Sequence, residues 1–412
     1  MTATDDLTAT DRALLDGLAA SPNVLAPDYG RFRVTERILL TGHSHQAWPD
    51  VAREGLVAAF DDAADAVDDK WGRAFERADR VRDAVRSWLA DPGADVALAE
   101  STHELLVRLL SGLDLTGARP RLVASDGEFH SLRRQLDRLA EAGVEVVRVT
   151  TEPVDTLAER MADAVDHRTA AALVSTVLFG TARIVPHLAA LADACRRHGA
   201  EVVLDAYHSL GVMAVPVHAL GVHDAWVVGA GYKYLQWGEG NAYMRLPPHA
   251  DRVRPVVTGW FAEFGDLTAG DRPTQVTYAR GGQRFAGATY DPSSNYRAAR
   301  VAGFFVDRGL TPAVLRASYR HQRAVLTEAF DALDLPDDLA TRDRETPPEA
   351  FGAFLALRSP WAGRLQALLR ERGVQTDSRG DVLRLGAAPY LSDAQIVAGV
   401  AALGEAAREL AS

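Results

Sequence analysis

The sequence predicts an α/β protein, with a mainly parallel sheet in a large domain and a smaller α+β domain at the C-terminal end. Two patterns predict it. Between about residues 95 and 245 short apolar runs alternate with longer helical stretches, and from Ser293 the alternation gives way to consecutive helical stretches and a few isolated strands. Strands buried on both faces read as continuous apolar runs, and a helix between each pair is the usual parallel connection. Composition permits such a fold. The 412 residues are 47% hydrophobic and 25% charged, and 33 Gly and 19 Pro are too few for a collagen-like or low-complexity chain.

Residues 1–50 are too short for a core of their own and are expected to pack on the small domain or across the domain junction. The large domain is read as 51–292 and the small one as 293–412. Strands are predicted at RLVAS from Arg121, VEVVRVT from Val144, AALVSTVLF from Ala171, EVVLDAY from Glu201 and AWVVGAG from Ala225. Between them, EFHSLRRQLDRLAEAG carries Phe129, Leu132, Leu136 and Leu139 at helical spacing, and HLAALADACRRHGA stops on Gly199 as a helix should. In AESTHELLVRLLSGL, Ser101 stands three residues before Glu104, a capping-box spacing that opens an amphipathic helix. In the small domain YRAARVAGFFVDRGL, PAVLRASYRHQRAVLTEAFDAL, WAGRLQALLRERG and LSDAQIVAGVAALGEAARELA read as helices, with FGAFLAL and DVLRLG as strands. No internal repeat is apparent.

Charge narrows the function. With 56 acidic against 45 basic residues the formal charge is -11, which repels phosphate backbones and anionic membranes, so neither nucleic acid nor a membrane is an expected partner. The single cysteine, Cys195, lies in a helical stretch and has no second thiol to pair with. The start MTATDDLTATDRALLDGLAA lacks the basic and apolar parts of a secretory signal, and no run of about eighteen apolar residues occurs. A cytoplasmic protein is expected.

Only two lysines occur, Lys70 and Lys233, and the second stands in an unusual setting. VVLDAYHSLG puts Asp205 and His208 at the C-terminal end of one predicted strand, and VVGAGYKYLQWGEGN puts Lys233 just after the next, on the edge of a parallel sheet where ligands bind. A lysine desolvated among Tyr232, Tyr234 and Trp237 is a nucleophile toward an aldehyde. Pyridoxal 5'-phosphate, PLP, needs such a lysine, and a carboxylate that keeps its ring nitrogen protonated, for which Asp205 is the candidate. A plainer reading makes Lys233 a surface residue and Asp205 a cap, and the aromatic, Gly-rich context argues against it. The helix start at Ser101 and Thr102 offers hydroxyls and free amides for a phosphate. His43 and His45 have a metal-compatible spacing but no third ligand, so no metal is expected.

Taken together, DAYHSLG and GYKYLQWGEG resemble the Asp-x-x-His and Tyr-Lys-Tyr-Leu signatures of the kynureninases, which belong to the class V aminotransferase group of fold type I PLP enzymes. LLTGHSHQAWP is similar to that family's Gly-Asn-Ser-Leu-Gly opening, and VLRLGAAPYL to its ending. The resemblance implies a fold type I, PLP-dependent transferase-like architecture. It also implies Lys233 as the Schiff-base lysine, Asp205 as the partner of the ring nitrogen and His208 beside the ring. Tyr232 would touch the phosphate and assist proton transfer, with Ser101 and Thr102 as phosphate ligands. Phe129 would stack on the ring and Ser175 would make a further cofactor contact. Arg384 would bind the substrate carboxylate, with His43 and His45 on the substrate side, while Trp260 and Thr289 would be contributed across a homodimer interface. The implied reaction is hydrolytic Cβ–Cγ cleavage of an amino acid, giving alanine and a carboxylic acid.

Three departures from the family pattern stand out. Leu132 occupies the place of an acid after the stacking aromatic, the opening carries His43 and His45 for Asn and Leu, and no counterpart of the family's aryl-facing histidine is found. A class V lyase, aminotransferase or epimerase acting on another amino acid is therefore the alternative. A cysteine desulfurase is disfavoured because its mechanism needs a mobile-loop cysteine. A non-catalytic binding protein is disfavoured by Lys233, Asp205 and Arg384 occurring together, and a dinucleotide-binding protein by the lack of GxGxxG after the first strand.

Overall fold

The computed structural model describes residues 7–266 and 275–411. It begins with α1 (Ala9–Ala19), where Thr8 and Asp11 form a reciprocal capping box. A short strand β1 (Ile38–Leu39) and the long helices α2 (Val51–Ala66) and α3 (Trp71–Leu89) follow.

Next come β2 (Val96–Ala99), α4 (Thr102–Ser111), β3 (Arg121–Ser125), α5 (His130–Glu141), β4 (Glu145–Val149), α6 (Leu157–Asp163), β5 (Thr169–Ser175), α7 (Leu188–His198), β6 (Glu201–Asp205), β7 (Ala225–Ala230) and β8 (Ala242–Arg245). The seven strands form one sheet in the order β2-β8-β7-β6-β5-β3-β4. The pairs among β3 to β7 are parallel, and β8 is antiparallel to both its neighbours, so it alone runs against the rest. The five strands expected from sequence are present. β2 and β8 were not anticipated, because four residues such as VALA or AYMR are too few to display a period.

Both faces of the sheet are covered, and β5 is buried along its whole length. The reversed strand is anchored from its end. Arg245 is buried and donates from Nε and Nη2 to Asp91 at 2.9 and 2.6 Å, and from Nη1 to the carbonyls of His223 and Ala225. Each of its three nitrogens thereby donates, which offsets the cost of burying a guanidinium.

Helices α8 (Ser293–Asp307) and α9 (Pro312–Asp331) lead to β9 (Phe354–Arg358), α10 (Ala362–Glu371), β10 (Val374–Gln375), β11 (Asp377–Arg379), β12 (Val382–Gly386) and α11 (Asp393–Ala411). Thr311 caps α9 and proline occupies its first turn, where a missing amide hydrogen costs nothing. β11, β12 and β9 form a small antiparallel sheet, and β1 pairs in parallel with β10. The loop after β1 then crosses β12 closely. A Cβ on Gly42 would collide with the Ala387 carbonyl, so glycine is what lets His43 reach the interior there. No helix among the described residues is long and apolar enough to cross a membrane.

Candidate active site

The parallel strands deliver their C-terminal ends to one edge of the sheet, and the chemistry-bearing residues follow those ends. Ser101 comes after β2, Phe129 after β3, Ser175 at the end of β5, Asp205 at the end of β6, and Tyr232 and Lys233 after β7. These six, with Thr102 and His208, line one cavity of about 290 Å³.

Lys233 is 7% exposed and its Nζ lies 2.9 Å from His208 Nε2. The rings of Tyr207 and Phe129 face the same amine at 4.8 and 5.4 Å. Burial pushes the Lys233 amine down to about 7, against the attraction of Asp205, which acts to raise it. Burial likewise raises the Asp205 carboxyl, opposed by the Tyr207 amide, which donates to Oδ1 at 2.8 Å, and by the charge of Lys233. His208 is driven well down by burial and by Lys233, so its ring is neutral, and its Nδ1 is buried without a partner. The other lysine contrasts with this one. Lys70 is half-buried at the start of α3 and donates to the Val67 carbonyl.

The helix start is half as predicted. Ser101 caps α4 and accepts from the Glu104 amide at 3.3 Å, but Glu104 does not reach back, because its carboxylate pairs with Arg108. The Thr102 hydroxyl donates to the Gly229 carbonyl at 3.1 Å and lies 2.9 Å from the Tyr207 hydroxyl. Thr102 therefore ties the helix to the sheet, while Ser101 lines the cavity at the helix start. Phe129 is not the first residue of the apolar stripe of α5. It is the extended residue before the helix, with ψ 151°, which frees its ring for the cavity.

The residues expected on the substrate side are spread out. Arg384 is buried, with Nη1 donating to the Phe179 carbonyl at 2.7 Å and Nη2 to Asp377 at 2.6 Å, while Nε is buried without a partner. Phe179 lines the cavity, so Arg384 lies just behind its wall. The two opening histidines do not form a cluster. His43 is fully buried against Phe354 with both ring nitrogens unpartnered, whereas His45 is exposed and stacks on Tyr232 at 5.0 Å. Burial holds His43 well below the ordinary imidazole range.

Trp260 and Thr289 lie outside the cavity. Thr289 lines a neighbouring space of about 620 Å³ that shares Glu100 and Gly240 with it, and Trp260 is 45% exposed beside Phe261 and Phe264.

Four residues escaped the sequence reading. Tyr207 sits under the amine, Phe179 separates the cavity from Arg384, Asp377 holds Arg384, and Glu128 is buried behind Ser175. Only Glu128 and Tyr207 had a local signal, as immediate neighbours of flagged residues. No group of three or more metal-ligating side chains occurs among the described residues.

No family model matches this chain, and no curated protein sequence matches it. Solved structures do. A lysine-to-alanine mutant of C-DES, with glycine covalently linked to the PLP cofactor, superposes at TM-score 0.80 and 16% identity, over 92% of this chain and 98% of that one. The cystine C–S lyase C-DES with its product cysteine persulfide gives 0.78 at 17% identity, over 90% and 98%. Apo cysteine desulfurase from Thermococcus onnurineus gives 0.75 at 16% identity, over 94% and 98%. At this identity the likeness is one of architecture, and the chain has the fold type I, PLP-dependent transferase-like fold.

Proposed function

We propose that the cavity binds PLP and that the protein is a class V-type lyase acting on an amino acid. The observation that carries this is the buried Lys233 amine, 2.9 Å from His208 and on the same strand edge as Asp205, where burial lowers its proton affinity to about 7. The residues fit the cofactor. An unpartnered imidazole nitrogen, a buried carboxylate, a helix start and an aromatic ring are the complements of a ring oxygen, a ring nitrogen, a phosphate and a ring face.

Bound PLP supplies an aldehyde for an amine and an electron sink for the carbanion formed at Cα. The chain does the rest. Lys233 would be the nucleophile toward the cofactor's aldehyde and the base for the substrate's α proton. Asp205 would hold the ring nitrogen protonated, Phe129 would face the ring, and Ser101 with the start of α4 would hold the phosphate. Tyr232 lines the same wall and would assist proton transfer. Arg384 would be the group for the substrate carboxylate, and to reach it would have to exchange the Phe179 carbonyl or Asp377, which hold its two Nη atoms behind the cavity wall.

The leaving group decides the reaction class. C-DES is a C–S lyase by name, and elimination of a Cβ substituent needs no thiol on the protein. A desulfurase that passes sulfur to its own cysteine does need one. Cys195 is 1% exposed in α7 and burial raises its thiol to about 12, so sulfur released here leaves as a free small molecule. The second reading, kynureninase-like hydrolysis, is supported by the motifs DAYHSLG and GYKYLQWGEG. The PLP-loaded protein given L-cystine and L-kynurenine separately is expected to yield pyruvate and ammonia from the first. Alanine and anthranilate from kynurenine alone would replace the lyase reading with the hydrolytic one.

We further propose a homodimer. Trp260, Val256, Val257 and Val276 are exposed apolar residues, and the space lined by Thr289 opens beside the cofactor cavity. Light scattering is expected to give about twice the 44.4 kDa chain mass. A monomer mass would remove Trp260 and Thr289 from any shared site.

A further inference from the structure

Glu128 is a buried carboxyl that the mechanism above does not use. It lies between the end of β3 and the start of α5 and is 2% exposed. Three donors converge on it. The Ser125 hydroxyl reaches Oε1 at 2.5 Å, the Ser175 amide reaches the same oxygen at 3.1 Å, and the Ser175 hydroxyl reaches Oε2 at 2.7 Å. The charged group facing it from the neighbouring strand is Asp205, with Lys233 and His208 beyond.

Ser175 joins Glu128 to the site. It lines the cofactor cavity and is register-paired with Asp205 across β5 and β6. A hydroxyl has one proton and two lone pairs, and here the proton is given to Glu128. The oxygen then faces the cavity as an acceptor. A protonated Glu128 reverses this, because the carboxyl donates to Ser175 and the Ser175 proton turns toward the cavity.

We propose that Glu128 is a positioning residue that sets, through Ser175, whether the cavity wall accepts or donates a hydrogen bond to bound PLP. The inference rests on the PLP reading above. Burial carries the Glu128 carboxyl up to about 7, with Asp205 pushing the same way and the serine donors opposing, so both forms are populated near neutral pH. With Glu128 ionised, its charge and the Ser175 lone pairs favour the protonated state of whatever titrates on the bound cofactor.

The test is the pH dependence of the visible band of the PLP-loaded protein. Glu128→Gln keeps the size and one acceptor oxygen but removes the charge. It is expected to lower the midpoint of the band conversion by about one pH unit. In a Ser175→Ala background the same change is expected to move the midpoint much less. An unchanged midpoint in Glu128→Gln overturns the proposal, and so does a full shift that persists without Ser175, which would make Glu128 only a distant charge. If Glu128→Gln does not fold, Ser125→Ala removes one carboxylate donor, favours protonated Glu128, and must shift the midpoint in the same direction. Absence of any band in the unmutated protein would instead sink the PLP reading itself.

Discussion

Lys233→Ala is expected to give a folded protein that gains no visible band on addition of PLP and whose turnover is at least about 10³-fold below that of the unmutated enzyme. Absorbance titration and a product assay measure the two effects. The expectation follows from the state of the amine. Only its neutral form attacks an aldehyde, and burial makes that form half the population at about pH 7 rather than a trace. In the unmutated protein the rate of band formation should therefore rise with pH and level off just above 7. An exposed lysine would still be climbing at pH 9.

Stability gives the matching sign. Between about 7 and the ordinary lysine value near 10.4 the unfolded chain binds a proton at Lys233 that the folded chain does not, so this residue's contribution to stability increases as pH rises through that window. At neutral pH the buried amine is a cost. Lys233→Ala should then melt no lower than the unmutated apoprotein at pH 7, which separates a catalytic residue from a structural one. A large loss of stability together with retained PLP binding would refute the assignment.

Asp205→Asn is expected to retain PLP but to lose about 10² to 10³ in turnover, the effect of removing a buried opposite charge from a protonated partner. The amide keeps the shape and can still accept the Tyr207 amide now held at 2.8 Å, so the fold has no reason to change. A second effect follows from the same charge. Asp205 acts to raise the Lys233 value, so its neutralisation should move the onset of band formation to lower pH. Stopped-flow rates across pH 5.5 to 9 read this directly. A slower turnover without the pH displacement would place Asp205 away from the amine and dissolve the constellation on which the function rests.

The sequence alone carried the local part of this arrangement. Most strand runs from Arg121 to Ala225 were readable because a parallel core imposes continuous apolarity, and β5 and β7 are buried along their whole length. A sheet of that kind brings its strand ends to one edge, so Asp205, His208, Lys233, Ser175 and Phe129 could be placed on it from their positions after predicted strands, whereas Ser101 was singled out by its capping spacing alone. The sequence also determined what the protein lacks, a second cysteine for sulfur transfer and a wealth of lysines among which Lys233 would be lost.

Tertiary structure decided the rest. The donors of Arg384 are taken by Phe179, 205 residues away, and by Asp377, and Thr102 meets Tyr207 across 105 residues. His43 and His45, two residues apart, diverge into the core and into solvent because Gly42 lets the loop press against β12 while His45 turns outward onto Tyr232. Periodicity and local propensity report only on neighbours a few residues away. The depression of the Lys233 amine and the elevation of the Glu128 carboxyl are desolvation effects, and they arise only when distant segments close over those groups and exclude water.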